Sequence, residues 1–225
     1  MTIIKQLLMG RFAFAFILLT VGIATFAQSD WNIYSFGKIC SFRVPNTMEL
    51  RSPDSWSGVI IDQCINSCRI EYGESIPEVE IKFQPVGMNS DNKQDIFNAT
   101  KKYARILFAD IKQDYLTQQD VARLTQNDIK QIEREWKKET QEGIKSIIPN
   151  GVISFYSLSK KKISGKYALV SSYRRSSSAG TFTLVKEYKF FIKDHLLRVT
   201  ISYRENERYI WENDLTKVIN TLSFN

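Results

Sequence analysis

The feature that most limits how this chain can fold is a run of four strand-like segments with turn signals between them. "VISFYSLSKKKI" reaches Ser164-Gly165 and reverses into "KYALVSSYRR". "SSSAG" then leads into "TFTLVKEYKFFI", and Lys193-Asp194-His195 leads into "LLRVTISYRE". Runs rich in β-branched and aromatic residues, joined by such short connections, pair as antiparallel neighbours, because a parallel crossover needs a dozen or more residues. An antiparallel meander is expected here. The chain then ends in "ERYIWENDLTKVINTLSF", where Trp211, Leu215, Val218 and Leu222 fall on one helical face. That stripe suits a helix laid on a sheet.

Earlier segments add strands. In "KICSFRVPNTMEL" Cys40, Phe42 and Val44 alternate with Ser41 and Arg43, and Pro45 stops the run. "GVIIDQC" and "CRIEYGE" read as two strands joined by Ile65-Asn66-Ser67. In "EVEIKFQPV" Val79, Ile81 and Phe83 take one face, and Glu78, Glu80, Lys82 and Gln84 the other. Such a strand is expected to have one face on a core and one in water.

The polar middle reads as helix. "DNKQDIFNATKKYARILFADI" places Ile96, Ala99, Tyr103, Ile106 and Leu107 on one stripe, with Asn92 as N-cap. Thr117 with Asp120, and Thr125 with Asp128, have capping-box spacing, and the second box precedes the stripe Ile129, Ile132 and Trp136. Gly143 is the expected stop of that helix, and Pro149-Asn150-Gly151 a turn. The order strands, helices, strands, helix argues for an α+β domain: one antiparallel sheet flanked by helices.

"CSFRVPNTMEL" resembles the opening strand and proline turn of the PsbP-like family. "YKFFIKDHLLRVTISYRE" and "LTKVINTLSF" resemble its closing hairpin and terminal helix. The resemblance implies an αβα sandwich on an antiparallel sheet; a cystatin-like α+β arrangement is the alternative. The family includes extrinsic photosystem proteins, a Ran-binding protein and many secreted bacterial proteins. It has no shared catalytic site, so no functional residue carries over.

The first residues form a leader. Lys5 and Arg11 precede an apolar run from Phe12 to Phe26, and small residues flank Phe26 at Thr25 and Ala27. The run is shorter than the roughly 20 residues that cross a bilayer, so residues 1–27 are read as a signal peptide and 28–225 as a single domain. No transmembrane segment is expected after cleavage. The remaining 29 Lys+Arg against 24 Asp+Glu make the mature chain mildly basic, too weakly to suggest a nucleic-acid partner.

Three cysteines and one histidine set narrow limits on chemistry. A structural zinc site needs about four ligands, and Cys64-x-x-x-Cys68 lacks partners for one. A redox pair usually sits two residues apart at a helix start, and this one does not. Across a short hairpin loop in an oxidising compartment, Cys64 and Cys68 are expected to form a disulfide. Cys40 shares a face with Phe42 and Val44 and is expected to be a buried thiol, with a bond to Cys64 or Cys68 as the other possibility. His195, beside a turn, reads as an ordinary surface residue, and no Gly-x-Ser-x-Gly elbow accompanies it. Glu78 and Glu80 would stand about 6.5–7 Å apart on one strand face. A water-facing pair lacks the burial that raises a catalytic carboxyl's pKa, so no catalytic residue is assigned. No cofactor or metal is expected either.

Lys160, Lys161, Lys162, Lys166, Arg174 and Arg175 flank one predicted hairpin. They are the candidate contact for an anionic surface or an acidic partner, unless they only keep an edge strand from aggregating. Aromatics are frequent in the meander: Phe155, Tyr156, Tyr167, Tyr173, Tyr188, Phe190 and Tyr203. They suit cross-strand packing more than a ligand pocket. Asn98-Ala99-Thr100 is a glycosylation sequon, relevant only in a eukaryotic secretory route. The reading is a secreted, non-catalytic binding or assembly protein of a bacterial envelope, its partner an unidentified protein or an anionic envelope surface. A carboxylate-dependent hydrolase is the alternative.

Overall fold

The computed structural model describes residues 31–52, 79–113, 116–148, 150–176 and 180–225. The predicted strands "GVIIDQC" and "CRIEYGE", and with them Cys64 and Cys68, lie outside the described residues, as do the leader and Glu78. The strands are β1 (Asn32–Phe36), β2 (Cys40–Val44), β3 (Met48–Leu50), β4 (Val79–Pro85), β5 (Ala104–Lys112), β6 (Ile153–Ile163), β7 (Lys166–Ser176), β8 (Phe182–Ile192), β9 (His195–Arg204) and β10 (Ser223–Phe224). The helices are α1 (Lys93–Thr100), α2 (Gln118–Arg123), α3 (Gln126–Ile147) and α4 (Arg208–Asn220), the last entered through a 3-10 turn, Glu205–Glu207.

The meander forms as expected. β6, β7, β8 and β9 are consecutive antiparallel neighbours in a seven-stranded sheet of order β3-β4-β5-β9-β8-β7-β6. Ser164 and Gly165 both have positive φ, +47° and +81°, the left-handed pair that a two-residue hairpin turn needs. β1, β2 and β10 make a second, three-stranded sheet.

One expectation is overturned. "DNKQDIFNATKKYARILFADI" is not one helix. Asn92 caps α1, its side chain accepting the Gln94 amide, but the helix ends at Thr100 and the chain continues as β5. β5 is central, paired with β4 on one side and β9 on the other. Ile106 and Phe108 are buried on one face, Leu107, Ala109 and Ile111 on the other. A strand covered on both faces is a continuous apolar run, and such a run fits a helical stripe as readily as a strand.

Two cores flank the large sheet. On one face Phe42 of the small sheet stacks on Phe108 at 3.8 Å between ring centres, and Phe83 meets Phe42 edge-on at 5.8 Å. Trp211, Leu215 and Val218 of α4 complete this layer, the helical stripe expected from sequence. Full burial of one such ring is worth about 2–3 kcal/mol. On the other face α2 and α3 pack Val121 and Ile129 against Leu158, Leu169, Phe191 and Leu196. Helices therefore lie on both faces, with the small sheet beside α4. Both capping boxes form: Thr117 with Asp120 opens α2, and Thr125 with Asp128 opens α3.

α3 does not stop at Gly143 but runs on to Ile147. The glycine that the backbone requires is Gly151. A Cβ there would lie 2.7 Å from Ile144 Cγ2 and 2.8 Å from the Ile148 carbonyl oxygen, so only glycine lets the chain pass so near the helix end. Cys40 is fully buried on β2 and carries a free thiol, which burial pushes up to about 12.

Candidate functional site

Alternation along β6 and β7 divides the six basic residues marked by sequence. Lys160 faces the helices, where its Nζ donates to the carbonyls of Ala122 at 2.7 Å and Leu124 at 2.8 Å, closing the end of α2. Lys160 and Lys162 both stand over the Tyr167 ring, at 5.8 and 5.6 Å. Lys161 points to the opposite face and is exposed. Its charge, after burial, helps hold the Lys186 ammonium below its ordinary pKa. Lys166 opens β7 opposite Ile163 and is half-buried. Arg174 lies against Phe155 at 5.1 Å and Phe182 at 3.9 Å and pairs with Glu205 at 3.3 Å. Arg175 turns to the helix face at the far end of the strand, eight residues or about 26 Å from Tyr167. The lysines gather near the hairpin turn; the arginines do not join them.

Arg175 belongs to a different group. Residues 103, 105, 107, 109 and 111 of the β5 segment, the even positions of β9 and the odd positions of β8 and β7 share the face on which α2 and α3 pack. Those helices contact β6, β7 and β8. Near β5 and β9 the same face turns polar, and its pairing is explicit: Arg105 opposite Ser202, Thr200 opposite Glu187, Arg198 opposite Lys189, and Thr183 opposite Arg175.

At one end of this face Tyr103 is surrounded by donors. Arg175 Nη2 lies 3.5 Å from its phenol oxygen, Ser202 Oγ lies 3.3 Å away, and the Arg105 guanidinium stands 6.0 Å from the ring centre. Burial pushes the phenol up, but Arg105, Arg175 and the hydrogen bonds outweigh it and hold it below its ordinary pKa. Among the described residues neither arginine has a carboxylate partner. Two guanidiniums and two hydroxyls converging on one place are the donor set that a carboxylate or phosphate requires.

The middle of the face is a charge network. Glu187 pairs with Lys189 at 3.3 Å, and both side chains are about four-fifths buried, at 19% and 20% exposure. Burial raises the Glu187 carboxyl, and the Lys189 and Arg198 charges more than reverse this, so it is held below the usual glutamate range. Lys189 Nζ also sits 3.8 Å over the Trp136 ring of α3. Among the described residues the buried Arg198 Nε has no hydrogen-bond partner. Tyr156 and Tyr173 stack at 5.6 Å; burial pushes the Tyr156 phenol up to about 12 and raises Tyr173 as well. Arg105, Arg175, Lys189 and Arg198 thus share this face with the Glu187 carboxylate. Farther along, Glu80 pairs with Lys82 at 2.9 Å, at 18% and 13% exposure. The polar side of β4 is therefore mostly buried, not open to water as its alternation suggested.

His195 is not a bystander of its turn. Its Nδ1 is 2.9 Å from Asp110 Oδ1 and its Nε2 is 3.6 Å from Asp194, so both ring nitrogens face carboxylates and the hairpin end is tied to β5. Among the described residues no three His, Cys, Asp or Glu side chains are grouped to hold a metal, and no helix is long and apolar enough to cross a membrane. The sequence pointed to Arg175 by its charge. It missed Tyr103 and Arg105, which were assigned to a helical segment. Only the β5–β9 pairing brings them to Ser202.

This architecture is the PsbP-like fold. The structure of cyanobacterial PsbP (CyanoP) from Synechocystis sp. PCC 6803 matches 88% of this chain and 94% of its own, with a TM-score of 0.52 at 9% identity. Also similar are LpqN of Mycobacterium tuberculosis, described as involved in cell envelope biogenesis (TM-score 0.45, 10% identity, 87% of this chain and 90% of that one), and a Bacteroides thetaiotaomicron protein (TM-score 0.44, 13% identity, 88% and 49%). No family model matches the sequence, and no curated protein matches it.

Proposed function

We propose that this protein is a secreted, non-catalytic binding protein of the bacterial envelope that holds an anionic group on the β5–β9–β8–β7 face. Arg105 and Arg175 supply the charge, and Tyr103 and Ser202 supply hydroxyl donors. The observation that carries the reading is the convergence on one partly buried phenol of two guanidiniums that have no carboxylate partner among the described residues. A half-buried arginine is costly unless its charge is paired, and an anionic ligand would offset that cost. The leader-like residues 1–27 support the envelope address. A proton-donating carboxylate, as the hydrolase alternative requires, would need a raised pKa. Glu187 has the opposite, being held ionised by Lys189 and Arg198.

The test follows the Tyr103 phenol by NMR in tyrosine-labelled protein, with Tyr103→Phe to assign the signal. Inorganic phosphate is added at constant ionic strength. An anion between the two arginines disfavours the phenolate, so the Tyr103 pKa rises. Arg175→Gln should abolish that rise. A phenol that responds to phosphate no more than to chloride would overturn the reading.

A further inference from the structure

A second concavity, independent of the anion face, opens between the turn after β4, α1 and α4, with a volume near 540 Å³. That size suits a small organic molecule. Its walls are apolar: Val86 is 54% exposed and Ile210 36%, both unusually open for aliphatic side chains. Trp211 backs the cleft from the core, only 4% exposed, and its one N–H is already given to Glu207 at 2.9 Å. The shape is held by Gly87, at φ +100°, where a Cβ would already touch Ala99 Cβ at 3.5 Å.

The polar lining has a sign. Asp95 and Asn98 come from one side of α1, and Asp214 comes from α4 one turn beyond Trp211. Asp95 Oδ2 accepts Ser90 Oγ at 3.0 Å, and among the described residues its other oxygen has no partner. Among the described residues Asp214 has only a long contact, 3.8 Å, to Lys217. Lys102 also lines the cleft, from just beyond the end of α1, and among the described residues it forms no ion pair with Asp95 or Asp214. Two carboxylates beside aliphatic surface recognise a positive head on an apolar body.

We infer that this cleft is a binding site for an organic primary ammonium carrying an aliphatic or aromatic body. The experiment is an amide NMR titration of the folded protein with hexylammonium, 1-hexanol and hexanoate, three probes of one shape and different charge. Hexylammonium should give saturable shifts at Gly87, Ala99 and the Trp211 indole N–H. The other two probes should bind at least tenfold more weakly. Asp95→Asn with Asp214→Asn, both at surface-accessible positions, should weaken hexylammonium tenfold or more and leave 1-hexanol unchanged. Equal binding of the three probes, unchanged affinity in the double variant, or no saturable shift with wild-type protein would each overturn the assignment. Because the anion face is read by phosphate at Tyr103, failure of either site leaves the other decided on its own data.

Discussion

Glu207 and Tyr103 are 104 residues apart in sequence and meet at 2.8 Å, where Glu207 Oε2 accepts the Tyr103 amide. The same oxygen accepts the Trp211 indole N–H at 2.9 Å, and Oε1 accepts Arg204 Nη1 at 3.1 Å. One buried carboxylate thereby joins the start of β5, the end of β9 and α4. It stands between the anion face, through Tyr103, and the apolar cleft, through Trp211. Glu207→Ala leaves three donors without their acceptor and should cost about 3 kcal/mol. Glu207→Gln keeps the shape and one acceptor and should cost about half of that. Urea unfolding followed by tryptophan fluorescence measures both.

Glu187 should give stability an acid limb. Its carboxyl is held below the usual glutamate range in the folded protein and returns to about 4.3 on unfolding, so the unfolded chain takes up the proton first as pH falls. The stabilisation is fully present above that ordinary value and is lost as pH drops through the lower folded value. Glu187→Gln should remove this part of the pH dependence. At neutral pH it should also cost about 3 kcal/mol, because Lys189 and Arg198 lose their counter-charge. Denaturant midpoints of the two proteins from pH 3 to 7, a window set by that ordinary value, test the sign.

The basic residues of the β6–β7 hairpin should separate by role. Lys160→Met removes the ammonium from the Ala122 and Leu124 carbonyls and should lower stability by about 1 kcal/mol, with the phosphate response of Tyr103 unchanged. Arg175→Gln should abolish that response with a smaller effect on the denaturation midpoint. If Lys160→Met changed the phosphate response, the two ends of the hairpin would not be independent.

Cys40 should resist alkylation. Its thiol is fully buried and pushed up to about 12, so almost no thiolate exists at neutral pH. Iodoacetamide should label Cys40 only after denaturation. Non-reducing peptide mapping of secreted material is expected to find Cys64 joined to Cys68 and Cys40 outside any bond.

Most of the fold was legible because it rests on local rules. The meander follows from short turns such as Ser164-Gly165, and the last helix from the stripe Trp211, Leu215 and Val218. The starts of α2 and α3 follow from Thr117 with Asp120 and Thr125 with Asp128. β5 was not legible. "ARILFADI" is apolar on both faces, and periodicity does not separate a doubly covered strand from a helix. The candidate site was lost with it. Arg105 and Tyr103 looked like parts of an amphipathic helix, whereas Arg105 lies in β5 opposite Ser202 and Tyr103, just before that strand, meets Ser202 and Arg175.

The sequence by itself determined which segments alternate, where they turn and where helices begin, because those outcomes depend on residues a few positions apart. Only the tertiary structure decided that β5 lies between β4 and β9, which face α2 and α3 cover, and therefore that Lys160 closes a helix while Arg175 meets Tyr103. Those outcomes depend on pairings between distant strands. Such pairings are chosen by the burial of whole faces, which no local spacing encodes.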